Sequence, residues 1–262
     1  MLWKRIISAL VGIPIAVYIF YLGGLPFLVG IIGLAIIGQR EMIGILSRGE
    51  TKVFEIFLIL AVIFFSLAAY YLSPIYYIGI LISNIFVLFI IFIIKFPQVK
   101  LNDIGLNLII LIYPGFLFSQ LILLRNLTTD GYIYILLAFI ITWASDTFAY
   151  FIGRAFGKNK LAPSLSPAKT VEGAIGGMIG TIIVVLAYNH YFLSIPLGWA
   201  LIIGIAGSFF AQLGDLFESG IKRLGNAKDS GNIIPGHGGV LDRFDSILFV
   251  GPILLFLLLL MQ

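Results

Sequence analysis

Apolar runs close to twenty residues long recur from one end of the chain to the other. A helix rising about 1.5 Å per residue needs about twenty such residues to cross the ~30 Å hydrocarbon layer of a bilayer, so each run predicts a membrane-spanning helix. Nine spans are predicted, near residues 6–22, 25–39, 53–72, 75–94, 104–124, 131–152, 171–188, 197–214 and 246–261. The second has the least distinct end, because its apolar pattern weakens into Gln39–Arg40–Glu41. The short alternating segments of a transmembrane β-barrel are not seen in the sequence. The expected fold is all-α, a polytopic integral membrane bundle of about nine helices.

The connections between spans alternate in character. One set is short and nearly uncharged: Gly23–Gly24, Ser73–Pro74, Arg125 to Asp130, and Asn189 to Pro196. The other is longer and basic: 40–52, 95–103, 153–170 and 215–245. Fifteen of the 16 Lys and Arg residues fall on the side of the basic set, and only Arg125 on the other. Cytoplasmic loops collect Lys and Arg, so the N-terminus is expected in the cytoplasm and the C-terminus outside. A bacterial-type inner (cell) membrane is the expected location.

Composition agrees with this reading. Hydrophobic residues make up 61% of the chain and charged residues 11%, against roughly half and a quarter in soluble domains. With no cysteine, disulfides, thiol nucleophiles and cysteine-based metal sites are excluded. Polar chemistry is unevenly spread. Residues 1–130 read as a mainly structural transmembrane bundle. Residues 131–262 carry polar groups inside spans, Gly-rich stretches and the two long basic loops, 153–170 and 215–245, and read as the catalytic region.

The densest segment runs from Ser208 to Asp245. Ser208, Gln212, Asp215, Ser219 and Lys222 are spaced to share one face of a helix leaving the membrane. Asp215 lies near the hydrocarbon boundary, where a carboxylate is costly and needs a partner. Beyond it come Lys222–Arg223, Lys228–Asp229, Pro235–Gly236–His237–Gly238–Gly239 and Asp242–Arg243–Phe244–Asp245. Glycines beside a His and an Asp let a ligand approach the backbone, and successive N–H groups can form an anion nest. Asp215, Asp242 and Asp245 are expected to converge from two helix ends at the cytoplasmic surface. Carboxylate oxygens beside Lys and Arg suit Mg²⁺ bound together with a phosphate substrate, and Asp215 and Asp242 are the expected metal ligands.

The loop after the sixth span offers a second cluster. Asp146 lies within that span, and Ser166, Lys169 and Thr170 precede the seventh, where helix-terminal N–H groups favour phosphate. Lys158 and Lys160 serve equally well as topology charges. His237 is open between phosphate binding, ligand orientation and proton transfer. His190 reads as an interfacial residue.

The string from Ser219 to Asp245, with Ser219, Lys222, Arg223, Lys228, Asp229, His237, Gly238, Gly239, Asp242, Arg243 and Asp245 in place, resembles the signature of the phosphatidate cytidylyltransferase family. The Gly-Asp-Leu-Phe-Glu-Ser lead-in at 214–219 is similar, as is the stretch from Ser145 through the Ser-Pro-Ala-Lys-Thr-Val-Glu-Gly string ending at Gly173. The resemblance covers about residues 142–262. It implies a membrane nucleotidyltransferase making CDP-diacylglycerol and pyrophosphate from CTP and phosphatidate in phospholipid biosynthesis. It also implies a divalent metal and a cytoplasmic site open to the inner leaflet. Spacing alone does not distinguish CTP from other nucleotides.

Within that reading, Mg²⁺ sits on Asp215 and Asp242. Lys169, Lys222, Arg223, Lys228 and Arg243 neutralise phosphate, and Ser166, Thr170, His237, Gly238 and Gly239 complete the substrate contacts. Asp146, Asp229 and Asp245 are ligands, anchors behind the ligands, or partners of the basic side chains. Whether a monovalent cation joins Mg²⁺ stays open. The expected partners are CTP, phosphatidate and the bilayer, with no nucleic acid, and a homodimer stays open. A transporter would need polar residues at mid-membrane in both halves, and a scaffold would not need the Asp and Lys clusters.

Overall fold

The computed structural model describes residues 2–47, 51–233, 236 and 238–261, with side chains described at residue 10 and from residue 12 onward except at 74 and 75. Nine apolar helical segments stand, among the described residues, where nine spans are predicted. Seven are long and apolar enough to cross a bilayer: Gly24–Leu46, Tyr76–Ile94, Leu101–Asn126, Tyr132–Phe156, Val171–Leu193, Leu197–Leu224 and Leu241–Leu260. Two shorter apolar stretches, Gly12–Leu22 and Glu55–Tyr71, complete the set. The chain packs as two compact units, Met1–Leu127 with Leu224–Arg243, and Thr128–Arg223 with Phe244–Gln262.

The first unit holds α1 (Leu2–Leu22), α2 (Gly24–Leu46), α3 (Glu55–Tyr71), α4 (Pro74–Ile94), α5 (Leu101–Ile110) and α6 (Leu117–Asn126). A π-helical turn, Leu111–Phe116, joins α5 to α6 around Pro114. Proline lacks the N–H that continues an α-helix, and the wider turn accommodates it. The Phe116 carbonyl accepts from Ser119 Oγ at 2.7 Å and Tyr77 Oη at 3.3 Å, and Gln120 donates to Tyr77 Oη at 2.9 Å.

Helix α2 runs seven residues past the predicted end at 39. The apolar pattern weakens there because Gln39 and Glu41 turn inward, at 1% and 7% exposure, while Arg40 is exposed. Gln39 Nε2 donates to the Leu58 carbonyl at 3.2 Å. Asp103 and Asn107 hold the chain entering α3: Asp103 accepts from the N–H of Lys52 at 3.0 Å, and Asn107 accepts from the N–H of Phe54 at 2.8 Å. Arg125, the one basic residue on the predicted outer side, is buried. It donates to the carbonyls of Phe20 at 2.7 Å and Tyr21 at 2.9 Å, closing the C-terminus of α1. Gly23, at φ +59°, leaves room for this guanidinium; a Cβ there would lie 2.6 Å from it.

The second unit contains α7 (Tyr132–Phe156), α8 (Val171–Tyr188) extended by a π-helical turn (Asn189–Leu193), nearly all of α9 (Leu197–Leu224), and α11 (Ile247–Leu260). The four-residue α10 (Leu241–Phe244) lies at the junction in sequence between the two units. Helices α7 and α8 approach closely because α8 is glycine-rich. A Cβ on Gly180 would lie 2.1 Å from Phe148, on Gly176 2.5 Å from Ile152, and on Gly177 2.9 Å from the Ser145 carbonyl.

Two features go beyond the predicted spans. Helices α7 and α9 continue past the predicted ends at 152 and 214, because a helix need not stop at the hydrocarbon boundary. The loop after α7 folds into an antiparallel hairpin, β1 (Lys160–Ala162) and β2 (Ser166–Thr170), pairing Lys160 with Thr170 and Ala162 with Ser166. Pro163 and Pro167 disfavour helix in this stretch. Glu172 fixes its base by accepting from the N–H of Lys158 at 3.0 Å and from Asn159 Nδ2 at 2.8 Å.

Candidate active site

A cavity of about 460 Å³ opens in the second unit. Helix α7 lines it with Asp146, Ala149, Tyr150, Gly153 and Arg154, the i, i+3, i+4, i+7, i+8 pattern of a single helical face. The hairpin adds Lys169 and Thr170, the first turn of α8 adds Gly173 and Ala174, and α9 adds Gln212 and Asp215. The wall is built from small residues around a few charged ones, which leaves space for a ligand beside fixed charge.

Lys169 and Asp215 meet in this cavity, Nζ to Oδ2 at 2.5 Å, with side chains 25% and 31% exposed. The predicted face of α9 carries a chain of hydrogen bonds. Gln212 Nε2 donates to Ser208 Oγ and to the Ala174 carbonyl, both at 3.1 Å, and Ser208 Oγ lies 3.0 Å from Ser145 Oγ. Ser219 Oγ donates to Asp215 Oδ1 at 3.4 Å. Thr170 caps α8 by accepting from the Gly173 N–H at 3.1 Å. That cap sets the strand-to-helix corner from which Lys169 enters the cavity.

The start of the last span reaches the same region. A Cβ on Gly214 would lie 2.6 Å from the Asp245 carbonyl oxygen, so α9 and the Asp245 backbone touch next to Asp215. Asp245 is within electrostatic reach of Asp215, Asp146 and Lys222. Lys222 pairs with Glu218, one helical turn earlier and 1% exposed. Arg223 Nε donates to the Leu165 carbonyl at 3.2 Å and so ties the hairpin tip to the end of α9.

The Gly-rich segment lies in the first unit. Asp242 Oδ2 accepts from the N–H of Ser230 at 2.8 Å, from Ser230 Oγ at 3.0 Å and from the N–H of Gly239 at 2.9 Å. Gly238, at φ +89°, lies directly beneath this carboxylate; a Cβ there would be 2.6 Å from Oδ2. The N–H groups of Val240 and Leu241 donate to Glu41 at 2.8 and 2.9 Å. N–H donors gather in this segment, and the chain's own carboxylates occupy those of Gly239, Val240 and Leu241.

Residues 3–261 match the cytidylyltransferase family. The chain belongs to the cytidylyltransferase family. A phosphatidate cytidylyltransferase of Staphylococcus haemolyticus is 39% identical over 97% of this chain and 98% of its own length. One of Bacillus subtilis is 47% identical over 60% of this chain and 59% of its own length, and one of Staphylococcus saprophyticus is 49% identical over 60% of each.

Of the residues that the cytidylyltransferase reading singles out, the structure gathers Asp146, Lys169, Thr170 and Asp215 at one cavity, with Asp245 and Lys222 nearby. Ser166 pairs across the hairpin with Ala162. Lys228, Asp229 and Arg243 are exposed in the first unit. His237 lies outside the described residues. The sequence reading missed Arg154, Glu218 and Glu41. Arg154 was legible as eight residues from Asp146 on the same face, and Glu218 as the i−4 neighbour of Lys222. Glu41 was legible only as a carboxylate interrupting an apolar run.

Asp146 and Asp215 supply carboxylate oxygens to one cavity, and Asp245 is within electrostatic reach of both. Among the described residues, no group of three or more His, Asp or Glu side chains is gathered closely enough to cage a metal ion. Mg²⁺ is commonly held by one or two carboxylates together with substrate phosphates and water, and this donor set fits that mode.

Proposed function

We propose that the chain is a membrane nucleotidyltransferase that makes CDP-diacylglycerol and pyrophosphate from CTP and phosphatidate. The observation that carries this reading is the cavity where Lys169 and Asp215 pair beside Asp146 and Arg154, in a chain of the cytidylyltransferase family. The substrate names come from the relatives in Bacillus and Staphylococcus. A site at the end of membrane helices suits a lipid substrate, because its acyl chains can stay in the bilayer while the phosphate meets a water-soluble nucleotide.

The chemistry proposed is in-line attack by a phosphatidate phosphate oxygen on the α-phosphorus of CTP. A new P–O bond forms, the bond from the α-phosphorus to the bridging oxygen breaks, and pyrophosphate leaves. The attacking phosphate is already ionised at neutral pH, so no side chain has to remove a proton from it. Both reactants are anions, and the main task is to place cations around them. Lys169 and Arg154 supply positive charge at the cavity, and Lys222, Arg223, Lys228 and Arg243 are the further proposed contributors. Mg²⁺ held at Asp215 would supply further charge neutralisation to the phosphate oxygens. Asp242 stays the second proposed ligand, with its own test by substitution.

The proposed location is the inner membrane of a bacterial cell, with the cavity open to the cytoplasm. Incubating the purified protein in mixed micelles with labelled CTP, phosphatidate and Mg²⁺ tests the activity. Label appearing in CDP-diacylglycerol is the expected result, and no lipid-linked label in folded protein overturns it.

A further inference from the structure

The least explained charge in the first unit is Glu41. It sits in α2, 7% exposed, and among the described residues no Lys or Arg lies within ion-pair distance of it. A buried carboxylate is costly and needs compensation. Here the compensation comes from one segment about 190 residues later in the chain. Oε1 accepts the N–H of Val240 at 2.8 Å, and Oε2 accepts the N–H of Leu241 at 2.9 Å and the hydroxyl of Ser230 at 3.0 Å. Two glycines make room for it: a Cβ on Gly231 or on Gly239 would lie 2.6 Å from the Glu41 carboxylate oxygens.

Ser230 connects Glu41 to Asp242. Its hydroxyl is 3.0 Å from Glu41 Oε2 and 3.0 Å from Asp242 Oδ2, and it also accepts the N–H of Asp242 at 3.2 Å. A hydroxyl carries one proton, so it serves one of the two carboxylates at a time. The position of Asp242 therefore depends on where Glu41 holds Ser230 and on where it holds the backbone at 240 and 241.

We propose that Glu41 is a positioning residue for cytidylyl transfer: its buried carboxylate fixes the 230–242 turn and, through Ser230, sets the orientation of the Asp242 carboxylate. The inference rests on the function proposed above and adds a part for α2, which the sequence reads as structural bundle. A neutral side chain of the same shape cannot replace it. Glutamine offers one acceptor oxygen, and its amide N–H₂ would face a donor from the turn.

Asp103 gives an internal control. It is also a buried carboxylate of the first unit, 3% exposed, and it also accepts two backbone N–H groups, those of Lys52 at 3.0 Å and Lys100 at 2.8 Å. It holds a different loop. Glu41→Gln and Asp103→Asn should lower thermal stability to a similar degree. Only Glu41→Gln should also lower kcat, by about 10- to 100-fold, as for the supporting partners of a catalytic ligand, with KM for CTP changed much less. Amide hydrogen exchange at Val240 and Leu241 should accelerate in Glu41→Gln and not in Asp103→Asn. Should Glu41→Gln fail to fold, Ser230→Ala removes only the hydroxyl link and should lower kcat about 10-fold. Equal kcat in the Glu41 and Asp103 variants, measured per folded molecule, overturns the inference, as does wild-type kcat in Ser230→Ala. A wild-type protein that makes no CDP-diacylglycerol overturns the proposed function instead, and the exchange measurement still tests the anchor.

Discussion

Both units bury charge in a mainly apolar chain, but they do so differently. In the first, Asp103, Arg125 and Glu41 are all below 10% exposed, and their recorded partners are backbone groups or a serine of the same unit. In the second, Lys169 and Asp215 are a quarter to a third exposed and face a cavity. A charge closed over by N–H or C=O groups fixes where chain segments go, and its removal leaves a buried group unsatisfied. A charge pair open to a cavity can exchange its partner for a ligand. The comparison teaches that the count of polar residues in a span says less than the identity of what satisfies them.

The sharpest way to break this contrast is at Asp215. Asp215→Asn should lower turnover about 100- to 1,000-fold while the protein still inserts and folds, measured as product formed per folded molecule in detergent. Retained turnover would place Asp215 among the structural charges. Asp242→Asn should show a loss of the same order, and a shallower Mg²⁺ dependence in either variant would support its role as a ligand.

Lys169→Gln comes next, with an expected loss of about 100-fold. Lys52→Gln and Lys95→Gln serve as comparison. The Lys52 side chain is exposed, and Lys95 lies over the Phe54 ring at 5.5 Å, so both should keep near-normal turnover. Equal tolerance at all three lysines would remove the phosphate-neutralising role.

On the other side of the contrast, Arg125→Gln should leave turnover per folded molecule close to normal and lower stability by about 1–3 kcal/mol, because it uncovers the last carbonyls of α1. A thermal unfolding series in detergent checks this. The smallest functional effect is expected from single cysteines at Ser164 and His190. Both should stay active, and an impermeant thiol reagent should label them from opposite faces of the membrane. Labelling from one face would defeat the predicted topology.

Much of this was legible in the sequence because hydropathy is a long-range average. Nine apolar runs give, among the described residues, nine apolar helical segments even where single boundaries shift. Asp146 and Asp215 were legible as charges set among small and hydroxyl residues at helical spacing, and Lys169 through the Ser-Pro-Ala-Lys-Thr-Val-Glu-Gly string that leads into the seventh span. The hairpin was not, since strands of three and five residues give too short a pattern to separate from a basic loop. The role of Glu41 was not, because its donors lie about 190 residues away and a single sequence carries no trace of that pairing. Arg125 was counted only as the exception to the charge rule. Its role depends on a helix end about 100 residues earlier that no local spacing reveals.

That distance matters during synthesis. The carbonyls of Phe20 and Tyr21 are complete long before Arg125 exists, and 105 residues separate Phe20 from its cap. At a ribosomal pace of about 5–20 residues per second, α1 waits about 5–20 s for its seal. During that interval, water and lipid headgroups at the bilayer surface must serve those two oxygens. The arrival of Arg125 then converts a provisional helix end into a lock. A nascent chain stalled before residue 125 should hold its first span more loosely than one released after it.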